Sequence, residues 1–408
     1  MSIEKLAKTI DGAMTREAEL LLACARTAID DRLTARIAEL ARGGIDWLAF
    51  VDIARQHHVT PLVYRSLSAI CSAAVPADAL DLLRAEYHAS ARQSLALAGE
   101  LLRLLSLFEG ERIRAIALKG PALAAMAYGN LSLRQFGDLD ILVRREDILR
   151  AKRLLLEQGY QPDLTMTERE ERLYLQTHYV YEFTRTDGAV YVELHYHERP
   201  KYFAFEFGFD ELLARLYPVA VAAGKVASLS PEDTLLFLCA HGSNHCWERL
   251  AWVCDIAELL RRQPLDWDVA QRRGRELGGE RMLLLGLLLA RRLLGAEIPP
   301  PLARRLERDR ALDALARQVI PQLFQSPQES PGLFWGAWFH LRARERWRDR
   351  LRYCLGVASI TTAEDWALFP LPASLSFVYS LVRPFRLLGT YGIRPLKRLH
   401  ARQTTSTG

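Results

Sequence analysis

The hydrophobic period of this chain changes twice, near Ile113 and near Ser230, and those two changes constrain its layout more than any single motif. From Ile3 to about Glu109 apolar residues recur at helical spacing, as in AELLLACARTAI and SLALAGELLRLLSLF, with interruptions at Pro61 and Pro76. IRAIAL then reads as a short buried strand ending at Lys119 and Gly120, and PALAAMAYG as a brief helix with Pro121 in its first turn. Residues 137–143, GDLDILV, alternate as a strand does, and residues 147–160 form an amphipathic helix stopped by Gly159. VYEFTR and AVYVELHYH flank Thr186-Asp187-Gly188, a hairpin signal. From Ser230, read as an N-cap ahead of Pro231, the helical period returns through PEDTLLFLCAHGSNHCWERLAWVCDIAELLRR and continues beyond it. The expected fold is α+β: a helical region at residues 1–109, a small mixed α/β core at 110–228 and a helical region at 229–408.

At roughly 150 residues per domain, a chain of 408 residues has room for two or three such units. Its 50% hydrophobic and 25% charged residues are those of an ordinary folded protein and exclude disorder, collagen-like repeats and a disulfide scaffold. Lys and Arg number 54 against 49 Asp and Glu, a net charge of +5 that admits an anionic substrate but supplies no basic domain for DNA or RNA. Cys24, Cys71, Cys239, Cys246, Cys254 and Cys354 form no CxxC pair and read as reduced core thiols. The N-terminus places Asp11, Glu17 and Glu19 ahead of a very short apolar run, unlike a secretory signal. MLLLGLLLA at residues 282–290 is followed at once by Arg291 and Arg292, whereas a bilayer span takes about 20 residues. It reads as a core helix, and a cytoplasmic location is the expectation.

Asp138 and Asp140 stand two apart in a predicted strand, so both side chains leave one face while Leu139, Ile141 and Val143 point into the core. Two carboxylates in one small volume repel unless a cation or proton neutralises them, and Mg²⁺ prefers one or two carboxylates together with phosphate oxygens. On the hairpin strand Tyr191, Glu193, His195 and His197 share one face, which makes Glu193 available as a third acid. If that strand lies beside the Asp138 strand, three carboxylates converge as two-metal phosphoryl chemistry requires. Acids also decorate solvated strand faces, and a D-x-D pair taken alone fits either role.

The setting of the pair, after a strand, a Lys-Gly turn and a short helix, resembles the nucleotidyltransferase superfamily. A closer resemblance is to its uncharacterised nucleotidyltransferase family, carried by Leu118-Lys119-Gly120-Pro121, Tyr128-Gly129, Arg134, Gly137-Asp138-Leu139-Asp140-Ile141-Leu142-Val143 and Glu193-Leu194-His195. It is strong from about Ser94 to Asp255, with weaker helical similarity toward both ends. The resemblance implies a sheet of nucleotidyltransferase type and transfer of a nucleoside monophosphate from an NTP, with ATP as the expected nucleotide and Mg²⁺ (or Mn²⁺) as cofactor. It implies Asp138, Asp140 and Glu193 as catalytic and metal-holding residues, and Lys119, Gly120 and Arg134 as phosphate-holding ones. The superfamily's usual Gly-Ser turn is Lys-Gly here, so the serine hydroxyl is missing. Gly120 still permits close backbone approach to a phosphate and Lys119 adds a point charge, or else Lys119 pairs with the nearby acids. Arg134 either clamps the triphosphate or braces the carboxylates.

His195 shares the face of Glu193 and either contacts substrate or bonds the neighbouring carboxylate. His241 and His245 are spaced four apart, but the intervening Gly-Ser-Asn lacks the glutamate of a zinc protease. With Asp255 they either line the cleft opposite the acids and touch the nucleotide, or pack the helical region onto the core. Trp247 and Trp252 read first as core and second as stacking surfaces for a base. The six arginines at alternate positions from Arg342 to Arg352 read as a solvated helix face. The C-terminal LVRPFRLLGTYGIRPLKRLHARQ mixes apolar and basic residues suited to peripheral contact with a membrane surface or an acidic partner. Three functions compete: a nucleotidyltransferase with an unidentified acceptor (small molecule, peptide or protein), a non-catalytic module that binds a nucleotide or peptide on the same fold, and an RNA-directed transferase, which the weak charge disfavours.

Overall fold

The computed structural model describes residues 15–197, 203, 205, 207–324 and 333–359. The N-terminal residues before Thr15, Asp11 among them, and the C-terminal apolar-basic segment, with its polar end QTTSTG, lie outside the described residues.

Among the described residues five α-helices precede the sheet: α1 (Arg16–Cys24), α2 (Asp31–Ala41), α3 (Trp47–Gln56), α4 (Thr60–Ile70) and α5 (Ala77–Gly110). Local chemistry sets their starts, because the side chains of Thr15, Asp30 and Asp46 each accept a backbone N–H of the first turn. Pro61 occupies the first turn of α4 and Pro76 immediately precedes α5, so both predicted interruptions are helix starts. The 34 residues of α5 reach about 50 Å at 1.5 Å each. This helix packs on α4 and on the middle of the sheet.

The strands are β1 (Ala115–Ala117), β2 (Asp138–Val143), β3 (Tyr160–Pro162), β4 (Val180–Arg185), β5 (Tyr191–His195), β6 (Tyr217–Val221) and β7 (Gly224–Ser228). They form one open sheet in the order β3-β4-β5-β2-β1-β7-β6. The pair β2 and β5 is parallel, β1 runs antiparallel to β2, and β7 runs parallel to β1. Leu139, Ile141, Val143, Val192, Leu194, Tyr181 and Phe183 are all buried, which makes one face of the sheet apolar and leaves the alternate positions for polar groups. Between β1 and β2 lie a short helix, α6 (Gly120–Leu123), which widens into a π-type turn at Ala124–Tyr128, and a 3-10 turn at Leu131–Leu133. Helix α7 (Ile148–Glu157) follows β2, and α8 (Glu168–Thr177) starts on a capping box made by Thr167 and Glu170. The short α9 (Phe209–Leu213) precedes β6.

The hairpin of β6 and β7 extends the sheet beyond the strands read from the sequence. The helical stretch expected from Pro231 onward also divides, into α10 (Pro231–Asn244) and α11 (Leu250–Arg262). The break comes at Cys246 and Trp247, both left-handed with φ of 52° and 59°. It is held by burial of the Trp247 ring against Gly242, where a Cβ would sit 2.5 Å from the indole. The remaining helices are α12 (Trp267–Glu276), α13 (Glu280–Leu294), α14 (Pro300–Arg308), α15 (Arg310–Gln322), α16 (Leu333–Ala343) and α17 (Trp347–Ser359). The apolar run at residues 282–290 is buried inside α13, between α10, α11 and α15. No helix among the described residues is long and apolar enough to cross a membrane.

Two expectations are corrected. The arginine alternation is not one solvated face: the chain turns between α16 and α17, and Arg344 is fully buried, its guanidinium 4.7 Å from the Phe203 ring centre and 4.3 Å from that of Tyr353. Nor are all six cysteines core thiols, since Cys354 is exposed and Cys246 half-buried; all six are free. A single cluster of buried apolar side chains runs from Leu20 through the sheet to Ala343.

Candidate metal centre

The centre rests on the pairing of β2 with β5. Their register sets Asp138 opposite Tyr191, Asp140 opposite Glu193 and Leu142 opposite His195. Residues directly opposite one another share a face, so both aspartates, Glu193 and His195 stand on the same side of the sheet. The adjacency on which convergence of the three acids depends is present.

Asp140 is 3% exposed. Its Oδ1 lies 2.9 Å from Lys119 Nζ and 3.2 Å from His195 Nε2, and that same ring nitrogen lies 3.2 Å from Glu193 Oε2. Because both its neighbours are carboxylate oxygens, Nε2 carries the hydrogen and donates. Asp140 Oδ2 is buried with no hydrogen-bond partner, a costly state for a carboxylate oxygen. Asp140, Glu193 and His195 each offer a ligand atom, and the three atoms lie within 4.8 Å of one another. The set suits a hard cation: carboxylate oxygens, an orphaned buried oxygen, and one imidazole that would give up its hydrogen to join.

Electrostatics separates the two aspartates. Burial, reinforced by the charge of Asp140, raises Asp138 to about 6. Burial acts on Asp140 in the same sense, yet the ammonium of Lys119 and the hydrogen bond from His195 hold it well below the usual carboxylate range. Burial would discharge Lys119 and His195, but the surrounding carboxylates outweigh it and raise both. The site is a buried mixture of charges arranged to remain charged.

Lys119 is positioned by the end of β1, where Leu118 N–H donates to the carbonyl of Asp140 at 3.0 Å. Gly120 follows with φ +55°, and a Cβ there would lie 3.2 Å from the Asp138 carbonyl oxygen. Only glycine takes that conformation at that closeness without strain. Arg134 turns to α11, where its Nε and Nη2 grip Asp255 at 2.8 and 3.0 Å and the Tyr128 hydroxyl donates to the same carboxylate at 2.8 Å. Its guanidinium still contributes positive charge at Asp138.

His241 and His245 pack with Trp252, at ring separations of 4.7 to 5.3 Å. His245 caps the end of α10 rather than continuing it. Trp247 is core, and Trp252 remains half-buried beneath the Arg249 guanidinium, 5.8 Å from its ring centre. A cavity of about 920 Å³ opens elsewhere, on another side of α11, lined by residues such as Arg26, Arg36, Arg261 and Leu294 but not by Asp138, Asp140 or Glu193.

Sequence reasoning missed Glu182. It stands on β4 directly opposite Glu193, which places Glu182, Glu193 and Asp140 in one row across three strands. Counting outward from the turn at residues 186–189 would have found it, since Arg185 N–H donates to the Val190 carbonyl at 2.9 Å and sets the register.

A family model described as an uncharacterised nucleotidyltransferase matches residues 43–295, from the end of α2 to the glycine that ends α13. No curated protein and no solved structure matches the chain.

Proposed function

The chain belongs to the uncharacterised nucleotidyltransferase family, and from that premise we propose that it transfers a nucleoside monophosphate from an NTP, ATP first among them, to an unidentified acceptor. In this reaction an acceptor hydroxyl or other nucleophile bonds to the α-phosphorus, the bond from that phosphorus to the pyrophosphate oxygen breaks, and the acceptor's proton goes to a carboxylate. Asp138, Asp140 and Glu193 are the residues that would hold Mg²⁺ or Mn²⁺. A divalent ion in such a set neutralises phosphate charge and favours both the attacking and leaving oxygens. Gly120 lets the backbone approach a phosphate closely, and Lys119 supplies a point charge there. Arg134 keeps the loop before β2 in place through Asp255 and adds to the positive potential. Glu193, at the outer side of Asp140, takes the acceptor's proton. Cytoplasmic location and an acceptor other than nucleic acid belong to the same proposal.

The observation that carries this reading is the buried, unpartnered Oδ2 of Asp140 in register with Glu193. Incubation with each α-labelled NTP, Mg²⁺ or Mn²⁺ and a cell extract is expected to yield a labelled product that disappears in Asp138→Ala and in the near-isosteric Asp140→Asn. Unchanged labelling in folded variants rejects the assigned site.

The second reading, a non-catalytic nucleotide- or peptide-binding module, draws on the same centre, because Lys119 and His195 already supply cationic partners to Asp140. Nucleotide binding without label transfer to any fraction of the extract would favour it.

A further inference from the structure

Two-ion phosphoryl transfer sets its ions about 3.5–4 Å apart with carboxylate oxygens shared between them. Here Asp140 has only one oxygen to give. Its Oδ1 is occupied by Lys119 Nζ at 2.9 Å and His195 Nε2 at 3.2 Å, whereas Oδ2 is buried and unpartnered. The Lys119 side chain is 12% exposed and that of Asp140 fully buried, so this contact is internal to the centre rather than a surface pairing. A divalent ion bound to Oδ1 at about 2.1 Å would have to displace the ammonium or share its place.

We propose, building on the nucleotide-transfer reading above, that Lys119 is a built-in cation that takes the position of one of the two divalent ions, so that the centre holds a single Mg²⁺ or Mn²⁺ at the Oδ2 side of Asp140. Charge balance points the same way. With the His195 ring neutral, as it is when it joins the ion, Asp138, Asp140 and Glu193 bring three negative charges, which one ammonium and one divalent ion cancel. Two divalent ions beside the lysine would leave the pocket doubly positive before any nucleotide arrives. Chain geometry fixes the lysine in that role: it stands two residues past the end of β1, and left-handed Gly120 turns the chain away at the next residue. An ammonium cannot exchange with solvent cations, so one of the site's two cations is independent of metal concentration.

The test is Mn²⁺ electron paramagnetic resonance on the full-length protein with α,β-methylene ATP, which binds without being turned over. Ions a few ångströms apart couple and distort the six-line spectrum of an isolated Mn²⁺. The wild type is expected to show one protein-bound, uncoupled ion. Lys119→Met is expected to admit a second and show coupling, Lys119→Arg to keep a single ion, and Asp140→Asn to lose the bound ion. A coupled pair in the wild type overturns the inference whether or not any variant folds, and leaves the nucleotide-transfer reading standing. A folded Lys119→Met protein that stays uncoupled also overturns it. No protein-bound Mn²⁺ in the wild type overturns both readings together.

Discussion

At the scale of single residues, Asp255 is a buried charge whose partners all lie within the protein. The bidentate contact of Arg134 with Asp255 is closed on both sides, with the Tyr128 hydroxyl as a third donor. Removing one member leaves a buried charge without compensation, so Asp255→Ala is expected to lower stability by about 3–5 kcal/mol in urea unfolding. A loss below 1 kcal/mol would show the pair to be dispensable. His57 makes a different prediction. Its backbone carbonyl accepts from Ala251 N–H and its Nδ1 accepts from Leu250 N–H at 3.2 Å, which requires a neutral ring. Burial lowers its pKa from 6.5 to about 4. The unfolded chain therefore binds a proton that the native one refuses, and stability is full above pH 6.5 and falls as pH drops from there toward 4. Unfolding midpoints at pH 7.5 and 5.0 are expected to differ more in the wild type than in His57→Gln; equal differences would remove His57 from the pH response. His58 and His340, lowered to about 4 and about 3 mainly by burial, add to the same slope in both proteins.

At the scale of elements, much of the sheet was readable and its central pairing was not. Alternation in GDLDILV and VYVELHY fixed which side chains share a face, because the period of a strand is two. That β2 lies beside β5 was not readable, since parallel strands distant in sequence have no connecting turn from which to count register. The hairpin of β6 and β7 escaped for another reason. Its turn uses Ala222 at φ +49° and Ala223, where Asn-Gly or Asp-Gly would have announced it. The break between α10 and α11 carries no proline or internal glycine either; it depends on tertiary burial of Trp247 against Gly242. Gly242→Ala is accordingly expected to cost about 1–3 kcal/mol through overpacking, visible as a lower melting temperature. A variant as stable as wild type would mean the indole has room to move.

At the scale of the molecule, the sequence reading divides the chain at residues 109 and 228, while the buried apolar cluster crosses both positions. Helix α5 lies on β1, β2 and β7, and the turn at Ala124–Tyr128 packs on α11. Residues 110–228 expressed alone are therefore expected to lack cooperative unfolding by circular dichroism; a sigmoidal melt would establish the α/β region as an autonomous unit. The acids of the centre were legible because they lie in the strands, whereas Asp255, the fixed partner of Arg134, comes from a helix whose docking leaves no trace in local pattern. That docking has a consequence for genetics. Arg134 stands four residues before Asp138, in the loop that leads into β2, and is anchored to the middle of α11, so a slight displacement of that helix by a bulky change at Val253 or Ile256 is transmitted to the first aspartate. Inactivating alleles recovered in a random screen should thus map to two places, the strand of acids and the helix that anchors the loop ahead of it.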